Sequence, residues 1–264
     1  MRNVRIQVAY DGSQFYGWQR QEGFESVQGA IEQALADLTG EHLTVYGSGR
    51  TDTGVHALAQ VANFHVETKL SDNRMLYALN AHLPESVCLS ALETCADDFH
   101  AQASALGKRY LYVARTTRFR AAFGRQHHHW VRETLDVEAM RKAAAHIVGE
   151  RDFSALANAG SPRKSNVRHV RALRIVARRE HLALLVTGNG FLYNMVRTIA
   201  GTIFEVGRGR MSADFVPELL RSGDRALAGP TAPAAGLYLL RVFYPDPCFG
   251  KQTHGPRGRP GGVA

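Results

Sequence analysis

The chain repeats one order of predicted elements, and this repetition limits the folds open to it. Short runs in which apolar residues alternate are typical of strands, and runs with helical spacing lie between them. In the first hundred residues they follow the order β-α-β-β-α-β, which is typical of the split-βαβ or ferredoxin-like unit. Strands are predicted at 2–10, 43–48, 58–66 and 87–95, and helices at 26–39 and 71–82.

The second half of the chain repeats this order. Strands are predicted at 108–115, 168–178, 181–187 and 236–243, and helices at 136–148, 191–206 and, more briefly, 213–221. Two such units can lay their sheets edge to edge, and we therefore predict an α+β fold in which two similar halves form one continuous, mostly antiparallel sheet with a central cleft. Residues 1–105 form the N-terminal half and 106–245 the C-terminal half, while 246–264, rich in glycine and proline, are predicted to be a disordered tail.

Charge is distributed unevenly between the halves and indicates a polyanionic partner. Residues 1–98 carry a net charge of −7, whereas residues 99–204 carry +12, with 18 basic and 6 acidic side chains. Most of the cations are arginines, whose planar fork suits phosphate. RNA or DNA is the natural partner of such a surface, although a basic protein with solvated faces has the same composition.

Cysteine content and hydropathy exclude several other classes of protein. Three cysteines without a CxxC pair argue against a disulfide framework and a structural zinc site, and fit a reducing compartment. The longest uncharged run, 181–196, has 16 residues and is too short and too polar to span a membrane. The first residues form a predicted strand rather than a secretory leader. We therefore expect a cytoplasmic protein without membrane contact.

The densest candidate for chemistry is GSGRTDTGVHA at 47–57. It lies between two predicted strands, and its glycines permit tight backbone paths. Asp52 follows Arg50 by two residues, so that a carboxylate on a loop can be held ionised and aimed into a cleft. The alternative for an isolated aspartate of this kind is that it merely closes a turn.

Three further clusters carry candidate binding residues. GKRYLY at 107–112 places Tyr110 and Tyr112 on one face of a strand, where they either bind a ligand or pack ordinarily. GNGFLYNMVR at 188–197 puts Arg197 in an apolar helix, where it either pairs with a carboxylate or faces solvent. The aromatic and basic residues at 10–20 either stack on bases or serve as core or lid packing.

Two polar segments remain. The run His127–His129 suggests a metal site, but three adjacent side chains point in different directions, so a polar loop facing RNA or solvent is the better interpretation. The loop Ser161–Ser165 carries adjacent cations that either contact an RNA backbone or are solvated.

Taken together and in this order, the motifs resemble the tRNA pseudouridine synthase A family. The resemblance covers residues 10–245, and the GRTDxGVHA pattern is highly specific. The matching segments are YDGSQFYGWQRQ at 10–21, GSGRTDTGVHA at 47–57, GKRYLY at 107–112, GERDFSAL at 149–156, FLYNMVRTIAG at 191–201 and GLYLLRVFYP at 236–245.

This resemblance implies roles for five residues. Asp52 would be the catalytic aspartate, and Arg197 its ion-pair partner. Tyr110 would stack on the substrate base and could also take part in moving its C5 proton. Arg50 would help to flip the nucleotide, and Leu237 would line the uracil pocket.

The resemblance also implies a reaction and a mode of action. Uridine would be isomerised to pseudouridine at positions 38, 39 and 40 in the anticodon stem-loop of tRNA, by a homodimer that needs no cofactor and no metal. Asp52 could attack the sugar, attack the base or remove a sugar proton, and the sequence does not choose among these steps. Two alternatives are a non-catalytic protein of the same fold that binds structured RNA, and a domain pair that binds small ligands.

Overall fold

The computed structural model describes residues 1–158, 165–246 and 248–249. These residues form ten strands, five α-helices and several short 3-10 turns. In chain order the elements are β1 (Arg2–Tyr10), α1 (Val27–Thr39), β2 (Tyr46–Gly47), β3 (His56–Val66), α2 (Asp72–His82), β4 (Val87–Thr94), β5 (Gly107–Thr116), β6 (His129–Val131), α3 (Val137–Ile147), β7 (Gly149–Asp152), β8 (Val167–Arg178), β9 (His181–Gly188), α4 (Met195–Gly207), α5 (Val216–Ser222) and β10 (Leu237–Phe243).

The strands form one sheet with the order β4-β1-β3-β10-β5-β9-β8-β7, with β2 beside β3 and β6 beside β5. Only the pairs β10/β3 and β5/β6 are parallel among the described residues. The predicted α+β fold with a continuous, mostly antiparallel sheet is thus confirmed. Each half has its fourth strand beside its first, then its third and second, which gives β4-β1-β3-β2 and β10-β5-β9-β8.

The two halves join along one edge of β3. The first residues of this strand, His56 and Ala57, pair with Tyr238 and Leu239 of β10, whereas residues 62 and 63 pair with β2. The strand predicted at 43–48 is reduced to Tyr46 and Gly47, because the chain just before these residues bonds to α1 rather than to β3. The backbone N–H of Val45 just before it donates instead to a carboxylate oxygen of Glu32 on α1, at 3.1 Å.

Helix α4 begins four residues later than its apolar pattern predicts. Asn194 has a φ of 58°, in the left-handed region, and the N–H of Met195 donates to the carbonyl of Leu192 at 3.0 Å. Residues 191–194 therefore form a turn rather than helix. The strands β6 and β7, with three and four residues, were not predicted, because they are too short to show alternation.

The helices of each half cover strands of that half: α2 contacts β4, α3 contacts β8 and α4 contacts β5. Tyr112 of β5 is fully buried, and its ring lies 5.9 Å from that of Phe204 on α4. No helix in the described ranges is long and apolar enough to cross a membrane.

Three residues of the predicted tail, Asp246, Cys248 and Phe249, lie among the described residues. Phe249 is 9% exposed, its N–H donates to Glu93 at 2.6 Å, and the guanidinium of Arg5 lies 5.7 Å from its ring centre. The ring of Phe249 packs against the protein although the surrounding segment is polar. The composition of the segment does not reveal this contact. The rest of the predicted tail, apart from Asp246 and Cys248, lies outside the described residues.

Replacing Phe249 by alanine should therefore lower the free energy of unfolding by about 1.5–3 kcal/mol, the usual contribution of a buried apolar side chain. Urea unfolding followed by fluorescence measures this change. Phe123, which is 91% exposed, supplies the matched control, since Phe123→Ala should change stability by no more than about 0.5 kcal/mol. Equal stability of the two variants would show that the Phe249 contact contributes nothing.

Candidate active site

The loop between β2 and β3 carries Asp52, and contacts on both sides of this residue hold the loop in place. The hydroxyl of the buried Tyr10 lies 2.8 Å from that of Thr51, and the N–H of Trp18 donates to the Thr51 carbonyl at 3.1 Å. The N–H of Val55 closes a turn by donating to the Asp52 carbonyl at 3.1 Å. The backbone at Asp52 is therefore fixed before any substrate arrives.

Two glycines outside the loop allow this close packing. Gly17 has a φ of 98°, and a Cβ on it would lie 2.5 Å from the carbonyl oxygen of Thr51. A Cβ on Gly12 would lie 2.0 Å from the carbonyl oxygen of Val55. Neither position tolerates a side chain without displacing the loop, which explains why the segment 10–18 is rich in glycine as well as in aromatic residues.

Arg197 of α4 reaches Asp52 from the other half of the molecule. Its guanidinium nitrogen lies 3.6 Å from a carboxylate oxygen of Asp52, and the two side chains are 18% and 30% exposed. The same guanidinium donates to the Ala232 carbonyl at 2.8 Å and to Asn194 Oδ1 at 3.0 Å. The arginine is thus oriented by the left-handed turn at Asn194 and does not face solvent.

The electrostatic balance at Asp52 favours a raised pKa. Burial raises the pKa of the Asp52 carboxyl above its ordinary value, and Arg197 opposes this effect without cancelling it. A carboxylate with a raised pKa is a stronger base and nucleophile than an exposed one, and perturbed carboxyls of this kind are concentrated at functional sites.

Tyr110 of β5 borders the same space. It is 8% exposed, and its ring meets that of Phe191 edge to face, with centres 5.3 Å apart. Burial raises the pKa of Tyr110, and the charge of Asp52 raises it further. The phenol therefore stays protonated at neutral pH, which suits a stacking surface or a hydrogen-bond donor better than a base.

Arg50 and Leu237 occupy contrasting places. Arg50 is exposed. Within the described residues its side chain makes no hydrogen bond or ion pair, either with Asp52 or with any other residue. Leu237 is 5% exposed at the first position of β10, opposite Tyr112 of β5 in the strand register. The structure thus brings Asp52, Arg197 and Tyr110 together. Arg50 lies at the exposed rim of this site, and Leu237 lies in the core beneath it.

A further cation near the loop was not singled out from the sequence. Lys108 lies two residues before Tyr110 on β5 and therefore shares its face. A Cβ on Gly49 would lie 2.3 Å from its Nζ, so the ammonium group rests against the backbone of the Asp52 loop. Burial lowers the pKa of Lys108 to about 8, and within the described residues no carboxylate pairs with it.

The side chains of the histidine run 127–129 lie in different environments. His127 Nε2 pairs with Asp11 at 2.9 Å, whereas His129 lies edge-on to Phe204, their ring centres 5.1 Å apart, inside the C-terminal half. Burial of its ring lowers the pKa of His129 to about 4. The loop Ser161–Ser165 lies outside the described residues except for Ser165.

Asp11, His56 and His127 form the group in the described residues that could hold a metal ion, with one ligand atom each within 4.8 Å of the others. Their atoms already have partners: the Gly12 N–H donates to His56 Nδ1 at 3.0 Å, and His56 Nε2 lies 2.9 Å from the Gln126 carbonyl. Burial works to raise the pKa of Asp11, but hydrogen bonds from His127 and Ser13 outweigh it and lower the pKa to about 2. This group links the two halves as a hydrogen-bonded network.

The aromatic residues of segment 10–20 serve two purposes. Phe15 and Trp18 are 5% and 2% exposed and belong to the core. Tyr16 is 54% exposed and lies against the half-exposed Phe24, with ring centres 4.6 Å apart. The packing alternative thus holds for the first pair, and the second pair remains on the surface beside the Asp52 loop.

Comparison with known proteins places these features in a family. The model of a family described as tRNA pseudouridine synthase matches residues 6–102 and 143–245, which include Asp52 and Arg197 but not Tyr110. A tRNA pseudouridine synthase A from Acetivibrio thermocellus is 43% identical over 244 residues, covering 92% of this chain and all of the relative. One from Thermoanaerobacter sp. is 42% identical with the same coverage.

A solved structure, described as a Cbf5-Nop10-Gar1 complex, matches far more distantly. It is 11% identical, covers 91% of this chain and 60% of its own, and has a TM-score of 0.37.

Proposed function

Since this chain belongs to the tRNA pseudouridine synthase family and is therefore an isomerase acting on uridine in tRNA, we propose that its targets are positions 38, 39 and 40 of the anticodon stem-loop. The resemblance of its motifs from 10 to 245 to the tRNA pseudouridine synthase A family supports these positions. The observation that carries the assignment of the active centre is the meeting of Asp52 with Arg197 of the opposite half, at 3.6 Å and beside Tyr110.

The reaction rearranges the substrate without net gain or loss of atoms. The bond from the sugar C1′ to N1 of uracil breaks, the base turns, and a bond from C1′ to C5 forms. The C5 proton then leaves, and N1 gains a proton. Asp52 would begin this sequence by attacking the sugar or the base or by removing a sugar proton, and Arg197 would hold its carboxylate charged.

The other site residues would serve the extruded nucleotide. Arg50, exposed at the rim, would help to displace the base from its stack, as expected for enzymes that act on a flipped base. The protonated phenol of Tyr110 would stack on the base, and Leu237 would line the uracil pocket from below. The N-terminal half, 1–105, would supply Asp52, and the basic C-terminal half, 106–245, would supply Tyr110 and Arg197.

The alternative of a non-catalytic RNA-binding protein is less well supported. Binding alone does not require a partly buried carboxylate, and such a group would repel phosphates. Asp52 is 30% exposed and has a raised pKa beside a fixed arginine, an arrangement that costs stability without aiding affinity.

Incubation of the protein with an unmodified tRNA transcript tests the proposal. Nucleoside analysis should reveal pseudouridine, and mapping should place it at positions 38–40. A transcript with cytidine at these three positions is the matched control and should yield none. Pseudouridine at other positions would contradict the proposed targets, although not membership of the family.

We further propose that the protein acts as a homodimer in the cytoplasm. The resemblance to the family supports the dimer, and three unpaired cysteines support a reducing compartment. Sedimentation at micromolar concentration should give twice the mass of the chain.

Lys108 provides a test of how the target nucleotide is held. We expect Lys108→Met to raise KM for tRNA about tenfold or more with little change in kcat, because a hydrogen bond between charged groups contributes about 1.5–3 kcal/mol and a phosphate is held equally before and during the reaction. The unpaired ammonium beside Gly49 would bind a phosphate next to the target base. Steady-state kinetics with one tRNA measures both constants.

Arg109→Met is the matched control, because Arg109 lies on the same strand but on its other face, where it donates to Thr187 at 3.0 Å. This variant should change KM less than Lys108→Met. If Lys108→Met destabilised the fold but left KM unchanged, the lysine would be structural.

A further inference from the structure

Beyond the active site, a cavity of about 410 Å³ opens where β5 ends. Arg118, Arg132 and Arg179 line it together with Thr116, Thr117 and Thr134. The three arginines come from three separate segments: the loop after β5, the residue after β6, and the turn between β8 and β9. We call this feature the arginine cavity.

The arginine cavity carries positive charge without a protein counter-ion. Within the described residues, none of its three guanidinium groups makes an ion pair or a hydrogen bond. The carboxylate that lines it, Glu133, is already paired with Arg208 at 3.3 Å and with Arg210 at 3.5 Å. Guanidinium groups are hydrogen-bond donors suited to phosphate oxygens, whereas the hydroxyls of Thr116 and Thr117 already donate to the carbonyls of Glu180 and Phe119, at 3.3 and 2.8 Å.

Backbone strain at Arg179 is a second, independent observation. Its φ is 53°, in the left-handed region that glycine and asparagine adopt at lower cost. Arg178 and His181 still pair across the β8–β9 hairpin, so Arg179 occupies the tight two-residue turn. An arginine at this position disfavours the turn that contains it, and strain of this kind is found where a side chain has a function.

The distance from the active site excludes the target nucleotide itself as the source of the phosphate. Thr116 lies six positions after Tyr110 on β5, which corresponds to about 20 Å along a strand. A single nucleotide cannot reach both places, whereas one folded RNA can. We propose that the arginine cavity binds backbone phosphates of the substrate tRNA outside the stem-loop that enters the active site, an inference that rests on the proposed function.

Affinity for two RNAs tests this inference: a full-length tRNA and its isolated anticodon stem-loop. The triple variant Arg118→Gln, Arg132→Gln, Arg179→Gln should bind full-length tRNA at least tenfold more weakly than the unchanged protein, yet bind the stem-loop equally well. The slope of log affinity against log salt should become shallower by about 0.9 for each duplex phosphate that the variant no longer neutralises, by analogy with DNA. Arg174→Gln, on exposed β8 surface away from the cavity, should leave both affinities unchanged.

Arg179→Gly separates function from folding. Glycine relieves the left-handed strain, so the melting temperature should stay the same or rise, while affinity for full-length tRNA falls. A loss of stability with unchanged affinity would make the arginine structural and overturn its part in the inference.

Further outcomes of these experiments also test the inference about the arginine cavity. Equal weakening of both RNAs, or an unchanged salt slope in the triple variant, would overturn the inference. If inorganic phosphate raised the melting temperature through these arginines while tRNA affinity stayed unchanged in the triple variant, the ligand would be a free phosphate compound. A protein that formed no pseudouridine at 38–40 but whose triple variant bound full-length tRNA more weakly would refute the proposed targets alone.

Discussion

Asp52→Asn should lower the rate of pseudouridine formation by at least about 10³-fold, within the range expected when an acid–base or nucleophilic group is lost. The amide has nearly the volume of the carboxylate, but it can neither attack carbon nor accept a proton in the same way. Affinity for tRNA should stay within about tenfold, or roughly 1.4 kcal/mol, because phosphate contacts dominate it.

The fold should survive this substitution. Burial raises the pKa of Asp52 in the folded state, so ionisation of this group disfavours folding as pH rises from its ordinary pKa through the raised one. Removing the charge abolishes that loss, and the variant should be as stable as the unchanged protein at neutral pH, or more so. Arg197 keeps its bonds to Ala232 and Asn194.

Single-turnover kinetics and tRNA affinity, measured on one preparation, give the comparison. Asp98→Asn, an exposed carboxylate outside the site, is the matched control and should retain full activity. Substantial product from a folded Asp52→Asn variant would exclude Asp52 as the catalytic group. A parallel loss of affinity and activity would indicate that the residue maintains the RNA-binding surface instead.

Local patterns explain which parts of the fold the sequence could predict. Alternation gave β1 its observed bounds of 2–10, and Ser26 with Gly40 marked the ends of α1. Where long-range contacts compete with propensity, the prediction was wrong: β2 is shortened because the N–H of Val45 donates to Glu32 of α1 rather than to β3. The late start of α4 depends on the left-handed Asn194, a conformation that its apolar periodicity does not encode.

In the candidate site, too, features encoded by a contiguous motif could be predicted, whereas features that depend on long-range contacts could not. The motif around Asp52 is contiguous and could be recognised, whereas Lys108 gains interest only because Gly49, far along the chain, makes room for its ammonium group. The arginine cavity is less visible still, since its cations come from three segments that only the fold brings together. The different directions predicted for the adjacent histidines are observed, whereas the packing of His129 against Phe204 depends on the fold and is not encoded in the run.

Arg197→Gln should move the acid limb of the pH profile of kcat/KM to higher pH. In the unchanged protein Arg197 opposes the effect of burial on Asp52, so its removal raises the pKa of that carboxyl further. A larger fraction of Asp52 is then protonated in mildly acidic solution. Activity should fall by about 10- to 100-fold there, given about 1.5–3 kcal/mol for an interaction between charged groups, and by less in alkaline solution. Arg197→Lys, which keeps the charge, should move the limb less.

The matched control for this experiment is Arg225→Gln. Arg225 contacts the loop 229–232, which Arg197 also contacts through Ala232: it donates to the Gly229 carbonyl at 3.0 Å and to Thr231 at 3.1 Å. In the described structure no contact joins Arg225 to Asp52. Both glutamine variants should therefore lower the melting temperature, because each leaves buried carbonyl groups without a donor. Only Arg197→Gln should shift the acid limb. Equal destabilisation of the two variants without a shift of the acid limb in either would show that Arg197 stabilises the loop 229–232. The charge of Asp52 would then not depend on Arg197.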